Sequence, residues 1–182
     1  MKSFVAITLG SLIFTQALAA EFVVRSADIK PASTIGEEQV FSGFGCQGGN
    51  ISPALNWSGA PAGTQSYAVT VYDPDAPTGS GWWHWVVFNI PANAKGLAKN
   101  AGVAQSALMP TGSIQSRTDY GKPGYGGPCP PIGDKPHRYT FTVHALKVDK
   151  LPLDADTPAA MVGYFLHQNT LKKAVLNAQY GR

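Results

Sequence analysis

The chain is poor in charge. Only 14% of its 182 residues are Asp, Glu, Lys or Arg, well under the quarter usual for globular domains. The formal net charge is +3, and no lysine or arginine cluster concentrates it, so a nucleic-acid partner is not expected. No stretch reaches the roughly 18 apolar residues that a membrane-crossing helix needs. There are two cysteines and no C-x-x-C, which makes a poor metal site. Internal repeats and inter-domain linkers are absent. So is the G-x-S-x-G elbow around which one class of hydrolase is built.

Apolar residues make up 44% of the chain, enough for a core, and Gly 20 and Pro 14 are both plentiful. That balance suggests a β-rich, loop-rich domain. The opening segment "MKSFVAITLGSLIFTQALAA" stands apart. One lysine precedes an apolar run, and Ala17-Leu18-Ala19 fits an A-x-A cleavage site. Residues 1–20 are therefore read as a signal peptide and 21–182 as a single domain, exported to a periplasm or secreted. Without Lys2 the chain has 13 basic and 11 acidic residues, a net of +2. In an oxidising compartment Cys46 and Cys129 most simply pair with each other.

Period-two alternation marks strands at residues 22–29, 54–57, 66–73, 83–90 and 137–146, and again near 174–181. "DTPAAMVGYFLHQN" reads as a helix, capped by Asp156 or Thr157, with Met161, Phe165 and Tyr164 on its apolar face. Strands come first and the helix last, which argues against a doubly wound sheet. Residues 119–136 form a long Gly- and Pro-rich loop, a length more often functional than not. Arg117 and Asp119 are expected to pair and order it.

Alternate side chains of a strand share a face. On that rule His137 and Tyr139 lie together. Asp73 ends a face begun by Tyr67, and His84 shares a face with Trp82, Val86 and Phe88. Trp83 and Trp85 would share the other face, as core. His144 falls opposite His137 and is read as structural. If the strands are neighbours, Asp73, His84, His137 and Tyr139 meet at one end of the sheet. Imidazole N–H and phenol O–H groups would donate to an anion there, with Asp73 fixing a histidine tautomer.

"YDPDAPTGSGWWHW" followed by "GGPCPPIGDKPHRY" resembles the two signature blocks of the phosphatidylethanolamine-binding protein family. The likeness is to exported members of its bacterial Raf-kinase-inhibitor-like branch, the YbhB/YbcL type. "NISPALNW", "RTDYG" and "YTFTVHAL" also look like that branch. The resemblance implies a mostly β fold: a central antiparallel sheet packed on a smaller one, with a C-terminal helix. It implies an anion pocket for phosphate-type groups or phosphorylated head groups, walled by Asp73, His84, Pro131, His137 and Tyr139. Pro74, Asp75 and Pro130 would shape its rim. No catalytic residue, metal or cofactor is expected. Trp83 stands where animal members carry a second histidine, so kinase inhibition is not carried over. Two other functions stay open: a phosphoester or ester hydrolase, metal-dependent in one form, using the same Asp/His cluster, and an inhibitor of a partner protein. Monomer and homodimer are both left open.

Overall fold

The alternation in residues 66–73 and 137–146 becomes two adjacent strands at the centre of the molecule. The computed structural model describes residues 20–182, so the expected signal peptide lies outside the described residues, save Ala20. The strands are β1 (Val23–Arg25), β2 (Ser42–Gly43), β3 (Cys46–Gln47), β4 (Leu55–Ser58), β5 (Ser66–Asp73), β6 (Trp82–Pro91), β7 (Gly96–Leu97), β8 (Ile114–Gln115), β9 (His137–Leu146) and β10 (Thr170–Tyr180). Helix α1 (Ala159–Asn169) runs straight into β10. The main sheet has the order β10-β9-β5-β6-β8, all pairs antiparallel. A second sheet has the order β1-β4-β7, and β2 and β3 form a small hairpin.

The inner face of the main sheet packs on the three-stranded sheet. Tyr67, Val69 and Val71 of β5 meet Phe141 and Val143 of β9, Leu176 and Ala178 of β10, and Leu55 and Trp57 of β4 in one core. Apolar burial of this kind is the main favourable term in folding, on the order of 2 kcal/mol per large side chain. Ala68 of β5, Val86 and Phe88 of β6 and Leu146 of β9, on the outer face, form a smaller core with α1.

The first strand is shorter than expected. Ser26 ends it by accepting hydrogen bonds through Oγ from the N–H groups of Asp28 and Ile29 (3.1 and 3.2 Å), a local turn that competes with a ladder. The helix face also differs from the sequence reading. Ala159, Val162 and Leu166 face the sheet, whereas Met161 is 52% and Tyr164 62% exposed. Small and β-branched side chains allow the helix to approach; the bulkier apolar ones point outward, and Phe165 packs only partly. The expected cap is absent too. Thr157 Oγ1 donates upstream to Asp154 Oδ1 (2.9 Å), and Pro158 occupies the cap position without a side-chain bond.

The larger departure lies in β6. Val71 pairs with Trp85 but Tyr72 pairs with Trp83, so His84 is an extra residue in a β-bulge. A second irregularity follows, because Tyr67 pairs with Ile90 while Val69 pairs with Val87, and Asn89 there adopts φ 57°. The bulges split the face read by simple parity. Trp82 and His84 lie on the inner side, while Val86 and Phe88 lie on the outer side. Trp83 and Trp85 likewise separate: Trp83 packs on the helix side and Trp85 in the main core.

Cys46 and Cys129 are joined by a disulfide across 83 residues of sequence. Closing a loop of that size restricts the unfolded chain, worth about 4 kcal/mol in the chain-entropy picture. The Cys46→Ser/Cys129→Ser double variant is expected to lose about that much unfolding free energy in urea titration. The wild-type protein under reducing conditions should match it; coincident curves for oxidised wild type and variant would show that other contacts already close the loop.

Candidate functional site

Asp73 ends β5, and its carboxylate is full of hydrogen bonds. Oδ1 accepts the backbone N–H groups of Asp75 (2.8 Å) and Ala76 (3.1 Å), folding the chain into an Asx turn. Oδ2 accepts Nδ1–H of His137 at 2.8 Å, and both side chains are buried. The turn returns through Gly81, whose φ of 66° and contact with Tyr72 Oη leave no room for a Cβ. Trp82 then pairs with Asp73, and the bulge delivers His84.

His84 is buried between two loop carbonyls and two aromatic rings. Its Nδ1 lies 2.7 Å from Gly126 O. The rings of Tyr139 and Tyr120 stand edge-on to it, centroids 5.1 and 5.6 Å away. Tyr120 Oη donates to Gly127 O at 2.7 Å. Gly126 must be glycine for this packing, since a Cβ would strike the Tyr120 ring.

These groups line a cavity of about 120 Å³ at one end of the main sheet. Its walls hold Asp73, His84, His137 and Tyr139, together with Pro130 and Pro131 from the long loop. The four strand residues expected to converge therefore do meet. Asp75 does not join them. Its carboxylate turns outward to Arg138, taking hydrogen bonds from the Arg138 backbone N–H (2.9 Å), Nε (2.8 Å) and Nη2 (2.6 Å). Those bonds hold its carboxyl at about 2, well below the usual range. Pro74 lies on the opposite face of the sheet, beside Thr70, Trp83 and His144. The reason is strand parity: one residue past the inward-pointing Asp73, the chain faces outward.

Several lining residues were not singled out from sequence. Trp82 and Tyr120 form edge-on walls, centroids 5.5 Å apart. Ala76 and Thr78 form the lip. Tyr120 lies in the "RTDYG" stretch, which was a marker in the chain without a role attached. The expected Arg117–Asp119 pair does not form among the described residues. Asp119 Oδ2 instead accepts the Trp83 N–H at 2.7 Å, and the Arg117 N–H donates to Ala155 O. Arg182, at the other end of the sequence, braces the loop by donating from Nε to Pro130 O (2.6 Å) and from Nη2 to Phe44 O (3.2 Å).

Five buried side-chain polar atoms among the described residues have no hydrogen-bond partner, and two of them, His84 Nε2 and Tyr139 Oη, belong to residues of this one cavity. Buried polar groups normally find partners, so a pair of free ones in a cavity marks a place for a ligand. Burial lowers the His84 pKa to about 4, against the opposing pull of the Gly126 carbonyl and the Asp73 charge. Burial, then the Asp73 charge, pushes the Tyr139 phenol up, which keeps it protonated. His144 sits on the outer face between Thr70 Oγ1 (3.3 Å) and Thr170 Oγ1 (3.2 Å), a satisfied structural position. Among the described residues no group of three or more His, Cys, Asp or Glu is placed to hold a metal ion.

This sheet arrangement, with its proline-walled cavity between three strand ends, belongs to one class of small β-rich domains. The chain is a member of the phosphatidylethanolamine-binding protein family, which it matches over residues 25–181. It is 52% identical over 180 residues to YbcL of Escherichia coli K12, covering 99% of this chain and 98% of that one. It is 48% identical to YbhB of the same organism, covering 85% and 97%. The crystal structure of E. coli YbcL superposes with a TM-score of 0.88 at 54% identity, covering 90% of this chain and 99% of that one.

Two buried histidines make stability depend on pH. Burial lowers His84 to about 4 and His144 to about 3, below the ordinary 6.5. The unfolded chain therefore takes up protons first on acidification. Stability is whole above about pH 6.5 and is lost as pH falls toward 4, by up to about 1.4 kcal/mol per pH unit for each histidine. Urea midpoints at pH 7, 5.5 and 4.5 should fall in that order. A midpoint that rises on acidification would contradict the burial of both rings in neutral form.

Proposed function

We propose that this protein is an exported binding protein that holds a small oxyanion of the phosphate type, or a phosphorylated head group, in the cavity between the ends of β5, β6 and β9. The observation that carries this reading is the pair of unpartnered buried atoms, His84 Nε2 and Tyr139 Oη, in a cavity of about 120 Å³. That volume admits a group the size of phosphate and little more, leaving the rest of a larger ligand at the lip. Exposed apolar side chains adjoin lining residues: Phe44, 68% exposed, stacks on Tyr120, and Ile132, 80% exposed, follows Pro131. Asp73 does not repel the ligand freely, because its lone pairs are engaged by two backbone N–H groups and His137. Export is supported by the leader-like first 20 residues and by the Cys46–Cys129 bridge.

The function is binding rather than turnover. The lining hydroxyl of Thr78 donates to Gly81 O, Cys129 is tied into the disulfide, and Ser80 is exposed and outside the lining. None of the three is a nucleophile hydrogen-bonded to a cavity histidine, the arrangement that covalent hydrolysis requires. Asp75, which a hydrolytic Asp/His cluster would need, is held by Arg138 on the outside.

Titration calorimetry on the purified mature chain tests the reading. Inorganic phosphate or phosphoethanolamine should bind, and His84→Ala or His137→Ala should weaken binding at least about tenfold, the loss expected of one hydrogen bond to a charged group. Far-UV circular dichroism should show both variants folded. Equal affinity in wild type and both variants would remove the site from this cavity. Steady hydrolysis of phosphoester or ester substrates that is lost in the same variants would replace binding by catalysis.

A further inference from the structure

The tautomer of His84 is set by its surroundings. A carbonyl oxygen only accepts, so the 2.7 Å contact with Gly126 O places the ring hydrogen on Nδ1. Tyr120 Oη, 3.5 Å from the same nitrogen, has its own hydrogen directed to Gly127 O. In the neutral ring Nε2 therefore carries a lone pair. It is buried, and no protein group donates to it. The titratable groups around the ring are Asp73 from β5, His137 and Tyr139 from β9, and Asp119 and Tyr120 from the long loop. None of them donates a hydrogen bond to Nε2. Two buried polar atoms of the cavity are thus without a partner: His84 Nε2, an acceptor, and Tyr139 Oη, a donor that makes no hydrogen bond although the Asp73 carboxylate stands near it. An oxyanion with no hydrogen of its own offers only acceptors, and its oxygen would meet the Nε2 lone pair head-on.

We propose that the cavity binds an oxyanion together with one proton, shared between a ligand oxygen and His84 Nε2, while Tyr139 Oη donates to a second ligand oxygen. This deepens the reading given under Proposed function and rests on it. It narrows the ligand to inorganic phosphate, which keeps at least one O–H throughout the neutral range, or a phosphomonoester, whose second ionisation lies near pH 6, so that a fraction keeps its O–H close to neutrality. Phosphodiesters and sulfate carry no such hydrogen near pH 7. They bind only if His84 itself takes a proton from solution, which its burial resists until about pH 4. His84 is thereby the residue that sets specificity among tetrahedral anions.

The test is calorimetry with inorganic phosphate, phosphoethanolamine, dimethyl phosphate and sulfate at pH 5, 6, 7 and 8, in buffers of different ionisation enthalpy. Phosphate and phosphoethanolamine should bind at least about tenfold more tightly than sulfate or dimethyl phosphate at pH 7. Sulfate affinity should rise about tenfold per unit as pH falls from 7 to 5, with close to one proton taken up per anion. The phosphate and phosphoethanolamine arms separate a free-ion ligand from a head group: tighter binding of the latter shows that the lip contributes. Nitrogen-15 shifts of the unliganded protein should show His84 as the neutral Nδ1–H tautomer. Equal affinities for phosphate and sulfate at pH 7 without proton uptake would overturn the shared proton while leaving anion binding intact. A resting Nε2–H tautomer would do the same. Absence of binding by all four anions at every pH would overturn the binding function, and this proposal with it.

Discussion

The buried hydrogen bond from His137 to Asp73 holds the site together. It joins the end of β5 to the start of β9 at 2.8 Å with both side chains out of solvent. The other oxygen of the same carboxylate shapes the turn that leads to β6. One side chain therefore controls where three strand ends stand relative to one another. A buried carboxylate is tolerated because its partners satisfy it, and removal of either side of such a pair is costly for the group left behind. The neighbouring Asp75–Arg138 contact is similar on paper but stands at the surface, where solvent screens it.

The second constraint is the bulge at His84. A regular ladder would place His84 in register with Val86 and Phe88. The extra residue instead lets His84 face the cavity while Val86 and Phe88 turn to the helix. Bulges of this kind re-aim a side chain at the cost of a local break in pairing. The result is an imidazole held by Gly126 O with its other nitrogen free. Its tautomer is set by a backbone carbonyl from a loop some 40 residues further along, while burial keeps the ring neutral.

That loop is closed around the cavity from several sides. The disulfide holds Cys129 to the β2–β3 hairpin, Arg182 holds Pro130, and Tyr120 and Tyr125 are anchored to Gly127 O and Gln39 O. A cavity with stiff walls and few free polar atoms selects by shape and by hydrogen-bond sense.

Much of the fold is legible in the chain itself. Alternation in Ser66–Asp73 and His137–Leu146 located the two central strands, because a half-buried strand writes its period directly into hydrophobicity. The same parity put His137 and Tyr139 on one face and Asp73 at the end of another, to meet if the strands are neighbours, and the leader-like segment with two lone cysteines pointed to the bridge. Parity failed in β6, because a run buried throughout from His84 to Ile90 shows no alternation that a bulge could interrupt. It failed in α1, where Ala159 and Val162 rather than the larger Met161 and Tyr164 meet the sheet. Residue type alone could not separate Asp73 from Asp75, since only the turn decides which carboxylate looks inward. The sequence by itself determined the β-rich class and the faces of β5 and β9. Tertiary structure decided the His84 tautomer, the outward turn of Asp75 and the bracing of the cavity by Arg182, because each depends on backbone carbonyls or side chains brought from distant parts of the chain.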